Sequence, residues 1–129
     1  MTRASAAAFL AKSQEYLASA LDNLAAQRFS VAAGDAIHAG ISAKDAIVTA
    51  LTGTTGKSKD HALAIQELRR ALGQREDAAP AERALKELLA AKSVVEYGSA
   101  PVPEVKATAL VRRARSLYDL GVEVVRLSR

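Results

Sequence analysis

The sequence predicts an all-α protein, an up-and-down antiparallel bundle of four long helices plus one short helix. Three observations predict it. Half of the 129 residues are hydrophobic, but Ala supplies much of that share and aromatics only 4%; Ala is the best helix former and is poor in strands. Apolar residues recur at steps of three and four in five separate stretches. Short loops separate those stretches, and short loops between helices imply antiparallel neighbours.

The first stretch runs through Phe9, Leu10, Tyr16, Leu17, Ala20, Leu21 and Leu24, giving a helix over roughly Ser5 to Gln27. Ser30 is expected to cap the next helix. That second helix, "VAAGDAIHAGISAKDAIVTALTG", is apolar around most of its circumference, as in a helix buried on more than one side. Ala36, Gly40, Ala43, Ile47 and Ala50 form a small-residue seam that lets a neighbour approach closely. Gly53 ends it. Asp60 caps a third helix, "HALAIQELRRALG", which Gly73 stops. Pro80 suits the first turn of a fourth, which buries Leu85, Leu88, Leu89, Ala91 or Lys92, and Val95. "GSAPVP" breaks it. The last helix starts near Pro103, with Leu110, Ala114, Leu117, Gly121 and Val124 as its core stripe. A chain of this length suits a single domain, taken as 1–129.

Composition excludes several functions. There is no Cys, so disulfides and thiolate metal sites are excluded, and two His make a structural zinc site an unlikely design. No apolar run approaches the roughly 20 residues needed to cross a bilayer. The start, "MTRASAAAFLAKSQEYL", carries no cleavage-site pattern behind an apolar core, so the expected location is the cytoplasm, with no membrane partner. The net charge is +4, and its excess sits mostly in residues 103–129, which hold six basic and three acidic side chains. That is a slightly basic surface rather than a nucleic-acid footprint.

Four near-motifs carry the candidate chemistry. "LTGTTGKSKDH" contains the G-K-S tail of a phosphate-binding loop. The full G-x-x-x-x-G-K-[ST] pattern needs a glycine at position 51, where Leu51 stands, and a preceding strand. The stretch therefore reads as a helix–helix connector. Asp35, His38, Ser42, Asp45 and Thr49 fall at steps of three and four, making a polar stripe on the second helix. A His between two Asp has the makings of a general base; the plainer reading is a solvated stripe or a polar strip in a dimer interface. His61 stands beside Asp60 at a helix start, where it helps to close the loop. Arg69, Arg70, Arg112, Arg113 and Arg115 are the natural phosphate contacts. Acidic residues are interspersed and no aromatics interleave, so a solvated face is the default.

The second helix, "AGDAIHAGISAKDAIVTAL", resembles the "AYYAAFHAAKALL" helix of the HEPN family (higher eukaryotes and prokaryotes nucleotide-binding domain), with Ala43-Lys44-Asp45-Ala46-Ile47 at its A-K-A-L-L segment. "KDHALAIQELRRAL" resembles that family's T-H-D-L segment, with His61 at the His, and "LLAAKSVVEYG" its R-x-x-x-D-Y segment. The likeness spans roughly Tyr16 to Leu127. It implies a small helical bundle and a homodimer. Many family members are toxins of toxin–antitoxin pairs that cut RNA with R-x(4–6)-H; others partner a minimal nucleotidyltransferase or bind nucleotides. Here Arg28 stands too far from His38, no Arg stands five to seven residues before His61, and Lys92 and Tyr97 occupy the Arg and His places of the fourth-helix segment. Lys does not replace Arg as a bidentate donor, and Tyr is a poor base at neutral pH.

The expectation is therefore a non-catalytic HEPN-like module, without cofactor or metal, that binds a nucleotide, nucleic acid or protein partner. Its ligand site is expected at Asp35, His38, Lys44, Asp45, Lys92, Glu96 and Tyr97, with Lys44 and Lys92 on phosphate and His38 orienting by hydrogen bonding. Nucleic acid would use Arg112, Arg113 and Arg115. The alternatives are a divergent metal-independent ribonuclease, using His38 or His61 with a partner-chain arginine, and a purely structural interaction bundle.

Overall fold

The computed structural model describes residues 2–56 and 60–128, and it is all-helical. Five helices follow in order: α1 (Thr2–Ala25), α2 (Phe29–Thr52), α3 (His61–Leu72), α4 (Ala78–Tyr97) and α5 (Glu104–Leu127). Four have 20 to 24 residues and α3 has 12. Gly56 is described, whereas Lys57 and Ser58 of the G-K-S tail lie outside the described residues.

Local chemistry sets most of the boundaries. Gly53 takes a left-handed φ of 94° at the end of α2 and donates its N–H to Thr49 O at 2.9 Å, as the Gly stop predicts. Asp60 Oδ1 accepts from Ala62 N at 3.0 Å and Leu63 N at 3.2 Å, satisfying two of the N–H groups that open α3. Gly73 closes α3 at a φ of 58°. Pro80 sits in the first turn of α4, and Pro103 precedes α5.

Ser30 departs from the sequence expectation. Arg28 holds the cap position of α2, and Ser30 lies inside the first turn. Its Oγ instead accepts from Val102 N at 3.1 Å, 72 residues away, tying the α4–α5 link to the start of α2. The turn before α2 is made by Gln27, whose φ is 62°.

α2 is the centre of the molecule and packs against all four other helices. Ala32, Ala33, Ala36, Ala39, Ala43 and Ala46 are fully buried along it. Small residues on α2 leave room for large ones opposite: Leu85, Leu88, Leu110 and Leu117 are also sealed from solvent. Gly40 is the closest approach, since a Cβ there would collide with Leu88 Cδ1. The predicted α5 stripe of Leu110, Ala114, Leu117, Gly121 and Val124 is buried throughout. The α2 polar stripe is not solvated: Ser42 and Thr49 are buried, and Asp35, His38 and Asp45 are half-buried. Ser13 was hidden from the periodicity because it is polar, yet it is fully buried, its Oγ donating to Ala39 O at 2.7 Å.

Among the described residues no helix is long and apolar enough to cross a membrane.

Candidate functional site

A cavity of about 200 Å³ lies where α2, α3 and α4 meet. Helical spacing explains its lining. Ile41, Lys44 and Asp45 share one face of α2, His61 and Ala64 one face of α3, and Leu85, Leu89 and Lys92 one face of α4, each at steps of three and four. Gly56 and Asp60 close it from the connector.

Lys44 is the buried charge of this region, with its side chain only 4% exposed. Lysine is almost never buried unless paired. Here Nζ donates to Glu67 Oε1 at 2.7 Å, Thr55 Oγ1 at 3.0 Å and Asp45 Oδ1 at 3.2 Å. An ammonium has three donors, so Lys44 has none left for a phosphate, contrary to the sequence expectation. Thr55 Oγ1 donates to Asp45 Oδ1 at 2.9 Å, and Gly56 N donates to Glu67 Oε2 at 2.9 Å. The network thus straps the connector after α2 down onto α2 and α3. It also explains Gly56 without any phosphate: a Cβ there would press into the Glu67 carboxylate.

A second cluster continues along the α2–α4 groove. Lys92 Nζ lies 3.9 Å from Glu96 Oε2, and Glu96 Oε1 lies 3.1 Å from His38 Nε2. That last contact is close but not aligned as a hydrogen bond, so the buried Oε1 has no hydrogen-bond partner. The His38 ring stacks on Tyr16 with centroids 5.2 Å apart.

Of the predicted ligand residues, Lys44, Asp45 and Lys92 line the cavity, and Glu96 and His38 extend from Lys92 as a chain of close contacts. Asp35 does not join them. Its Oδ2 accepts from Ser19 Oγ at 2.6 Å and from Asn23 Nδ2 at 3.2 Å, which joins α1 to α2. Tyr97 does not line the cavity either, and it is 80% exposed. Of the three arginines, Arg113 pairs with Glu87 at 2.9 Å, while Arg112 and Arg115 are exposed on α5. Sequence reasoning missed Thr55 and Glu67, which reach Lys44 from 11 and 23 residues away. It named His61 only as a loop-closing group or as a histidine of the alternative ribonuclease, not as part of the ligand site, and it missed the apolar lining of Ile41, Leu85 and Leu89, whose signal was there in the shared spacing with Lys44 and Lys92.

Among the described residues, no group of three or more His, Asp and Glu is placed to hold a metal ion. No protein-family model matches the chain, and no curated protein is significantly similar to it.

The exposed apolar residues form the other notable feature. Val94 (65% exposed) and Tyr97 (80%) lie three residues apart on one face of α4, and Val105 (82%) lies in the first turn of α5 across the link.

Proposed function

We propose that the chain is a non-catalytic HEPN-like module that works by binding a protein partner, in the first place a second copy of itself. In this reading the helices run as an up-and-down antiparallel bundle, and two bundles meet at the α4–α5 end. The observation that carries the reading is the exposure of Val94, Tyr97 and Val105 together at that end. Aromatic residues are enriched at interface centres because they bury a large area with few rotatable bonds. The flanks of Val105 favour a like partner. Glu104 and Lys106 are both exposed beside it, so a two-fold contact sets each copy's Glu104 against the other's Lys106. The implied HEPN dimer agrees.

A ribonuclease reading fits less well. His38 is occupied by Glu96 and Tyr16, and the two histidines sit on different helices, in separate surroundings.

The test is the molecular mass in solution. Sedimentation velocity on the wild type should show a concentration-dependent dimer. The Val94→Asp/Tyr97→Asp double variant should sediment as a monomer with an unchanged helical circular-dichroism spectrum. A wild type that stays monomeric at high protein concentration removes the self-association reading.

Arg112 and Arg115 favour a second reading, nucleic-acid binding along α5, because both are exposed and neither has an ion-pair partner among the described residues. It predicts oligonucleotide binding that weakens steeply with salt and is lost in Arg112→Ala/Arg113→Ala/Arg115→Ala. Binding that ignores salt, or survives the triple change, contradicts it.

A further inference from the structure

The α2–α3–α4 cavity has a chemistry of its own once the groups already in use are set aside. Lys44 has spent its three donors, and Glu67 uses both oxygens, on Lys44 and on Gly56 N. Asp45 uses only Oδ1, which takes both Lys44 and Thr55; Oδ2 is free. Asp45 lines the cavity, and Lys44, Asp45 and Glu67 together carry a net single negative charge, so this side of the cavity favours a cation. Among the described residues Lys92 has only Glu96, at 3.9 Å, and its side chain is 24% exposed. His61, in the first turn of α3, is exposed and has no partner among the described residues. Lys92 and His61 thus offer donors for an anion. Gly56 and Asp60 close the cavity from the connector, and Ile41, Ala64, Leu85 and Leu89 supply its apolar lining, with Leu85 sealed from solvent and Leu89 4% exposed.

We propose that this cavity binds a small zwitterion with an aliphatic body, of the α-amino-acid type. Its ammonium group meets Asp45, its carboxylate meets Lys92 and His61, and its side chain covers Ile41, Ala64 and Leu89. A ligand of one charge satisfies one side of the cavity and leaves the other desolvated without a partner, which is costly. Size agrees. A cavity of roughly 150 Å³ holds benzene, so the 200 Å³ here holds a molecule somewhat larger. Sites for drug-sized ligands run from about 300 Å³ upward, so this cavity suits a smaller body. This binding is independent of self-association, because the cavity and the Val94–Tyr97–Val105 surface share no residue.

The test is a titration of the full chain, followed by amide NMR shifts, with L-alanine, L-valine and L-leucine at millimolar concentration. Two matched compounds, 4-methylpentanoate and 3-methylbutylamine, carry only the anion or only the cation. At least one amino acid should give saturable shifts at Gly56, His61 and Ala64, with an affinity about tenfold or more above that of either single-charged compound. Lys92→Met and His61→Ala should each weaken it, while the helical spectrum and melting temperature stay close to wild type. Equal binding of a single-charged compound, saturable shifts confined to other residues, affinity unchanged in both variants, or no saturable shift with any of the three amino acids each overturn the proposal.

Discussion

Lys44 shows how one residue can control a whole junction. Removing its charge leaves Asp45 and Glu67 facing each other, each only about one-fifth exposed. Breaking a buried pair from one side costs more than the pair contributes, because a charge is left behind. Lys44→Met should therefore lower unfolding stability by about 3 kcal/mol in urea titration. In a Glu67→Gln background the same change should cost clearly less, since less charge is stranded. Equal losses in the two backgrounds would show that packing of the lysine stem, and not its charge, carries the effect.

A second residue-scale prediction concerns acid. Arg75 donates to Asp77 through Nε at 2.9 Å and Nη2 at 3.1 Å. Those hydrogen bonds hold the Asp77 carboxyl below its usual value, outweighing the upward push of burial. A carboxyl lowered in the folded state stabilises above its unfolded pKa, and that stability is lost as pH falls through the folded value. Asp77→Asn should accordingly cost a few tenths of a kcal/mol near neutrality, as for a partly exposed pair. The difference from wild type should fade in strong acid, as pH-dependent urea titration would show. Legibility at this scale followed reach. Gly53, Asp60 and Gly73 act on their own turns and could be read directly. Ser30 and Lys44 are settled by Val102, Thr55 and Glu67, which are distant in sequence.

At the scale of elements, α2 dictates the packing by being thin. Gly40→Ala adds a methyl group against Leu88, which is fully buried and has little room to move. Ala improves helix propensity by up to about 1 kcal/mol, while overpacking costs about 1–3 kcal/mol, so a net loss near 1 kcal/mol is expected. Gly121→Ala comes tight only against the end of Leu10, at 3.1 Å, with Ala43 O and Ile47 Cγ1 at an ordinary 3.9 Å, and should stay within about 0.5 kcal/mol of wild type. Thermal melts of the two variants side by side check both. If Gly121→Ala is the more damaging, the placing of the tight crossing at Gly40 is wrong. The α5 stripe and the α2 seam were legible because helical spacing announces an apolar face. Whether the α2 polar stripe was solvated or packed could not be read for the same reason: periodicity gives a shared face, but not what lies against it. α1, α3 and α4 supply the partners that bury it.

For the whole molecule, the polar groups sort into two kinds. Several on α2 pair with neighbouring elements, as with Lys44 on Glu67, Asp35 on Ser19 and His38 against Glu96. The exposed surface keeps a basic strip on α5 and an apolar end at Val94, Tyr97 and Val105. Helix number and class could be read from composition and spacing. Which end would remain apolar could not, because helical spacing leaves Val94 and Val105 off the core stripes without saying that two separate helices bring them to the same end. Association through that end is the central claim. If Tyr97 anchors it, Tyr97→Ala should weaken the dimer by about 2 kcal/mol, roughly 30-fold. Sedimentation velocity across a protein concentration series tests this most directly. The expected result is a dimer for the wild type, a weaker one for Tyr97→Ala and a folded monomer for Val94→Asp/Tyr97→Asp. A monomeric wild type, or a dimer that the double variant leaves intact, contradicts it.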